Sequence, residues 1–199
     1  YYHCDREGVL VWQDMPSGDL GGNAWDMRLG NITGRKLEKD RTAESEAIYR
    51  KEWKAIMDVL YNFPSIVVWV PFNEAWGQFK TKEITEWTKK YDPTRLVNSA
   101  SGGNFYPVGD ILDIHHYPEP QMPDPQYFGK DQVLVLGEFG GLGLPLEGHT
   151  WQDKNNWGYQ SFKNKEDLKK RYAEFTGSLK ELISKGLSAA VYTQTTDVE

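Results

Sequence analysis

Cysteine is all but absent. Cys4 stands alone in 199 residues, which excludes an intrachain disulfide and a cysteine-based zinc site. No apolar run approaches the roughly 20 residues that cross a bilayer, so a membrane partner is not expected. Basic residues do not cluster, and 23 Lys and Arg against 29 Asp and Glu leave a net charge of −6. Nucleic acid and anionic lipid are therefore poor partners. No GxGxxG or P-loop is present to hold a nucleotide. His3 and His149 lack ligand spacing, and the adjacent His115 and His116 would point to opposite faces of a strand. Neither a metal nor another cofactor is expected. Ser99-Ala100-Ser101-Gly102-Gly103 lacks the G-x-S-x-G elbow and reads as a polar loop. No signal peptide is visible, and Tyr1-Tyr2-His3-Cys4-Asp5 reads like the end of a helix already in progress.

What the sequence does have is aromatic side chains, 14% of the residues with eight Trp and eleven Tyr. Flat aromatic faces fill cores and also stack on the apolar face of a sugar ring. Six short apolar runs read as strands: Val9–Gln13, Ile66–Val70, Arg95–Asn98, Ile111–His115, Val133–Gly137 and Ala189–Thr193. Several lack polar alternation, the mark of parallel strands covered on both faces. Helical periodicity predicts helices over about Glu44–Tyr61, Lys82–Tyr91 and Glu166–Lys185. Asn164 is the expected N-cap of the last, and Gly186 its stop.

Links from helix to strand are tight, as in Asn62-Phe63-Pro64-Ser65 and Asp92-Pro93-Thr94. Links from strand to helix are long, as in Asp14–Ala43 and Phe139–Lys163. Long loops at one end only suit a (β/α)8 TIM barrel, whose site is built from its strand-to-helix loops. The competing doubly wound α/β sheet would call for a phosphate loop after an early strand. Six strands fall short of eight. The expected fold is thus a truncated barrel over 1–199, with the first two strands and the last helix missing and an open edge that invites self-association.

Two glutamates directly follow strands. Ile66–Val70 leads into Pro71-Phe72-Asn73-Glu74-Ala75-Trp76-Gly77, and Val133–Gly137 leads into Glu138-Phe139-Gly140-Gly141. Barrel strand ends open into one cleft, so residues far apart in sequence can converge there. Glycosidic cleavage needs such a pair: one carboxyl protonates the leaving oxygen and the other meets the oxocarbenium-like centre. The competing reading is that each glutamate pairs with an Arg or Lys at the barrel mouth. Asn31-Ile32-Thr33 is a glycosylation sequon.

The stretch from Val70 to Gly77 resembles the Asn-Glu acid/base motif of (β/α)8 retaining glycosidases. Leu136-Gly137-Glu138-Phe139-Gly140 resembles their nucleophile strand. Asp5-Arg6-Glu7-Gly8-Val9-Leu10-Val11-Trp12-Gln13-Asp14 is similar to the third-strand segment of glycoside hydrolase family 2, the family of β-galactosidases, β-glucuronidases and β-mannosidases. The resemblance implies a partial catalytic barrel cleaving β-glycosidic bonds in a carbohydrate substrate, β-galactosidase-like first, with retention. It implies Glu74 as acid/base and Glu138 as nucleophile, at the ends of strands four and seven. It also implies Asn73 on the sugar 2-hydroxyl, Tyr117 orienting the nucleophile and Trp76 as a stacking platform. Strand eight often ends on a Trp under the sugar; here Tyr192 or Gln194 must serve. The compartment is open on the residues, and the resemblance points to periplasm or secretion. The alternative is a non-catalytic carbohydrate-binding or scaffold barrel that has lost turnover.

Overall fold

The structure is a computed structural model, and it describes residues 1–21, 37–125, 131–152 and 154–194. The Asn31-Ile32-Thr33 sequon lies outside the described residues. The elements run α1 (Tyr2–Glu7), β1 (Val11–Asp14), α2 (Ala43–Leu60), β2 (Ile66–Val70), α3 (Thr81–Tyr91), β3 (Leu96–Val97), β4 (Ile111–His115), β5 (Val133–Gly140), β6 (Leu142–Gly143), β7 (Gln160–Ser161), α4 (Lys165–Ser184) and β8 (Leu187–Thr193). All six expected strands and all three expected helices are present. The topology is that of a TIM barrel in kind. The strands nevertheless fall into three sheets, ordered β1-β2-β3, β4-β5-β8 and β6-β7. Among the described residues their pairing does not close into a ring, where the sequence led us to expect consecutive strands of one barrel.

The chain divides into two compact units, and the division falls inside β4. The first comprises Tyr1–Asp113 and Pro125–Gln132, the second Ile114–Asp124 and Val133–Glu199. In the first, β2 runs parallel between β1 and β3, and four of its five residues are buried. Helix α2 starts where Thr42 accepts a hydrogen bond from the Ser45 amide, with Glu44 and Glu46 in its first turn, a favourable end for acidic groups. It buries Tyr49, Trp53 and Met57 along one stripe. Trp53 meets Trp69 of β2 edge to face at 5.7 Å. Both indoles find acceptors, Trp53 on Thr88 at 2.9 Å and Trp69 on Asp92 at 2.8 Å, as a buried Trp must. Just past β3, Asn98 bridges to Ile111.

In the second unit β8 pairs with β5 in parallel. Helix α4 packs Phe175 on Leu136, Phe139 and Leu187. Its N-cap is Asn164, which accepts from the Asp167 amide at 2.9 Å. It stops before Gly186, whose φ of 111° suits glycine. Two features escape the periodicity argument. The two-residue pair β6 and β7 is too short to show a period, and α1 is a single six-residue helix.

Candidate active site

In the first unit the chain leaves β2 through Pro71-Phe72 and is fixed at once. Phe72 stacks on Tyr49 at 5.3 Å, and the Tyr49 hydroxyl donates to the Pro71 carbonyl at 2.6 Å. Strand-like pairing then continues past β2. The Ser101 amide donates to Phe72 at 2.8 Å, and the Glu74 amide donates to the Ser101 carbonyl at 2.7 Å. Glu74 itself adopts φ 52°, a left-handed conformation that non-glycine residues seldom occupy and that clusters at functional sites. Trp76 closes a turn onto the Asn73 carbonyl. Arg41 clamps that turn by donating to the Gly77 and Gly18 carbonyls.

Asn73 and Trp76 carry opposite signals. The Asn73 Oδ1 atom is buried, with no hydrogen-bond partner among the described residues. Buried acceptors are nearly always paired, so this one calls for a donor beyond the described residues. Trp76 is 50% exposed and takes no place in the core.

In the second unit β5 presents Glu138, whose Oε2 accepts from the Tyr117 hydroxyl. His115 lies beside it, Nδ1 at 3.5 Å from the same oxygen, and is buried. His116 turns the other way, its Nδ1 at 2.7 Å from the Glu119 carbonyl, as strand alternation requires. The His116 amide donates to the Glu138 carbonyl at 3.0 Å. Among the described residues Glu138 is held by a phenol and an imidazole, not by an Arg or Lys.

Tyr117 is itself well determined. Its ring stacks on Tyr159 at 3.8 Å and 11°, and Trp157 meets Tyr159 edge-on at 4.6 Å. Burial, reinforced by the bond to Glu138, pushes the phenol far above its ordinary range, so it stays a donor at any working pH. The hydroxyls of Tyr117 and Thr193 lie 3.0 Å apart. Tyr192 points away from this group. It packs edge-to-face on Phe139 and on Tyr172 of α4, on the helix-covered side. The sequence-derived candidates thus gather as Asn73, Glu74 and Trp76 in the first unit, and Tyr117 and Glu138 in the second.

The family model described as glycosyl hydrolases family 2, TIM barrel domain, matches residues 1–135. The chain belongs to glycoside hydrolase family 2. Among solved structures it is similar to an FMN-binding β-glucuronidase from Facaelibacterium prausnitzii L2-6, with a TM-score of 0.63 and 19% identity, covering 98% of this chain and 30% of that one. It is also similar to an uncultured Clostridium sp. β-glucuronidase, at TM-score 0.56 and 15% identity over 96% of this chain and 34% of that one. A third is the Parabacteroides merdae β-glucuronidase, at TM-score 0.56 and 16% identity, over 95% of this chain and 27% of that one. At such identities the likeness establishes the fold. The chain spans about a third of the length of these structures. No curated protein matches it in sequence.

Several further residues support the candidate residues of this family 2 domain without belonging to its motifs. Asp113 is buried inside β4 and accepts from the Ser101 hydroxyl at 2.7 Å and the Asn98 amide at 2.8 Å. It thereby ties down the segment on which the Glu74 main chain rests. An Asp within the apolar run Ile111-Leu112-Asp113-Ile114 is a legible signal, because a buried carboxylate requires partners. Gly103 is a second such residue: a Cβ there would lie 2.1 Å from the Glu74 carbonyl oxygen. His115 and Thr193 carry no sequence signal beyond their place at strand ends.

Proposed function

We propose that this chain is the catalytic part of a retaining β-glycosidase, with Glu138 as nucleophile and Glu74 as general acid/base. One observation carries the reading: Glu138, near the C-terminal end of β5, accepts from a half-buried phenol that keeps its proton. A hydrogen bond from a neutral donor fixes a carboxylate while leaving its other lone pairs for attack, whereas a surface ion pair would neutralise it. Family 2 membership supports the same assignment. In the barrel frame, β1, β2, β3, β4, β5 and β8 would be strands three to eight.

Glu138 would form a bond to the anomeric carbon as the glycosidic bond breaks, and Glu74 would give its proton to the departing oxygen. Glu74 would then take a proton from water, which displaces Glu138 and releases the sugar with retained configuration. Asn73 would accept from the sugar 2-hydroxyl, a role for which its buried oxygen, unpaired among the described residues, is suited. Trp76 would offer an exposed face for stacking. The test is hydrolysis of nitrophenyl β-galactoside, β-glucuronide and β-mannoside by the full-length protein, with the product anomer read by NMR. β-Galactoside is the first candidate from the sequence, and β-glucuronide enters because the similar solved structures bear that name. Glu138→Ala should abolish turnover of whichever sugar is accepted, and azide should restore part of it. Near-normal turnover by Glu138→Ala, or an inverted product, would remove the mechanism.

A further inference from the structure

The hydroxyl of Thr193 lies 3.0 Å from that of Tyr117, whose own hydroxyl reaches Glu138. A phenol has one hydrogen, and an ionised carboxylate can only accept. The phenolic hydrogen therefore goes to Glu138, and the bond between the two hydroxyls must run the other way, from Thr193 to the Tyr117 oxygen. We infer that Thr193 is a positioning residue: it donates to Tyr117 and so strengthens and aims the bond from Tyr117 to Glu138. The inference rests on the nucleophile role proposed for Glu138.

The backbone supports this order. Thr193 ends β8 opposite Gly140, two residues beyond Glu138, and the Gly141 amide donates to the Thr193 carbonyl at 2.6 Å. Its main chain is thus fixed to the strand that carries the nucleophile. Neighbouring Tyr192 points to the helix side, so alternation directs Thr193 to the side of Tyr117. The ring of Tyr117 cannot swing away, because Tyr159 covers one face. Among the described residues of this unit, the titratable groups facing Tyr117 are Glu138, Tyr159 and, through Glu138, His115. The contact with Thr193 favours the phenolate, opposing burial and Glu138, as a donor to the phenol oxygen would. A chain of donors polarises each next bond, so Thr193 acts without touching substrate.

The experiment uses 2,4-dinitrophenyl 2-deoxy-2-fluoro-β-glycosides of galactose, glucuronic acid and mannose, with labelling of Glu138 in the full-length protein followed by mass spectrometry. Thr193→Val, which keeps shape and removes the donor, should slow labelling about threefold, and Thr193→Ser should label at the wild-type rate. Tyr117→Phe should slow it about tenfold or more, with Thr193→Val adding nothing on that background. Labelling of Thr193→Val at the wild-type rate would overturn the inference. Equal slowing by Val and Ser, or an effect that persists in Tyr117→Phe, would overturn it too. A second readout does not depend on turnover: the Tyr117 ζ-carbon signal in NMR should move in Thr193→Val and stay in place in Thr193→Ser. If the wild type is never labelled on Glu138, the proposed function falls and the ζ-carbon signal alone decides the relay; a signal unmoved by valine would refute it.

Discussion

Gly103→Ala should damage the site chiefly through the main chain of Glu74. A methyl group on Gly103 would sit 2.1 Å from the Glu74 carbonyl oxygen, 2.8 Å from its carbonyl carbon and 3.1 Å from the Ala100 Cβ. A carbon needs about 3.3 Å from a carbonyl oxygen, so one backbone segment must give way by about 1.2 Å. Gly103 is not held at positive φ, so the alanine adds no torsional strain of its own and the clash is the whole perturbation. Neither segment yields cheaply. Ser101 is tied to Asp113 and to Phe72, and Glu74 is tied to Ser101. Overpacking of this kind costs about 1–3 kcal/mol, which for a chain of this size lowers the melting temperature by about 2–4 °C per kcal/mol. If Glu74 is the acid/base, a displacement near 1 Å should also reduce turnover about 100-fold. Gly177→Ala is the control: it lies in α4 with nothing within 4 Å of its would-be Cβ, and it should gain about 0.5–1 kcal/mol from helix propensity. Thermal unfolding and nitrophenyl glycoside kinetics on both variants test the reasoning. A Gly103→Ala protein with unchanged melting and turnover would refute the placement of this loop against Glu74.

Glu74→Ala should spare the first step on dinitrophenyl glycosides, whose leaving groups need little protonation, far more than the first step on unactivated sugars; equal losses in pre-steady-state kinetics would count against the acid role. Burial opposes ionisation of Asp92, but hydrogen bonds from Thr94, Trp69 and Arg95 outweigh it and hold the carboxyl down at about 2, from 3.8. Its folded-state value lies below its unfolded one, so its contribution to stability is present above about pH 4 and is lost as pH falls towards about 2. Asp92→Asn, which breaks a buried pair with Arg95, should cost about 3 kcal/mol and flatten the denaturation profile across that window; an unchanged slope would exclude the assignment. Asn164→Ala removes the α4 cap and should cost about 1 kcal/mol, read as a fall of about 2–4 °C in melting temperature; no fall would mean that the cap is dispensable.

The elements were legible because burial writes itself into the sequence. Ile66–Val70 and Ile111–His115 match the observed strands residue for residue, since strands covered on both faces need unbroken apolar runs. Asn164 and Gly186 mark α4 because capping chemistry is local. Glu74 follows β2 as expected, whereas β5 runs on through Glu138 to Gly140, three residues past the expected end at Gly137; the partners of these residues were not legible. Thr193 meets Tyr117 across 76 residues, and no local pattern encodes such a distance. The same limit applies to Gly103, whose lack of a side chain matters only because the Glu74 carbonyl passes over it. The fate of Tyr192 follows from parity: one residue along β8 exchanges the helix side for the Tyr117 side, and a one-residue change of register inverts that choice.

Both glutamates are fixed in ways that suit the proposed roles. Glu74 is fixed through its main chain, by the Ser101 carbonyl, a left-handed φ and the close pass of Gly103. Glu138 is fixed through its carboxylate, by Tyr117 with His115 alongside. An acid/base must exchange its proton twice per cycle, and a fixed main chain returns its carboxyl to the same place for both transfers. A nucleophile stays ionised until it attacks, and a neutral donor on one oxygen orients it without discharging it. Tyr117 is suited to that task because its high proton affinity prevents it from becoming a second anion beside the first.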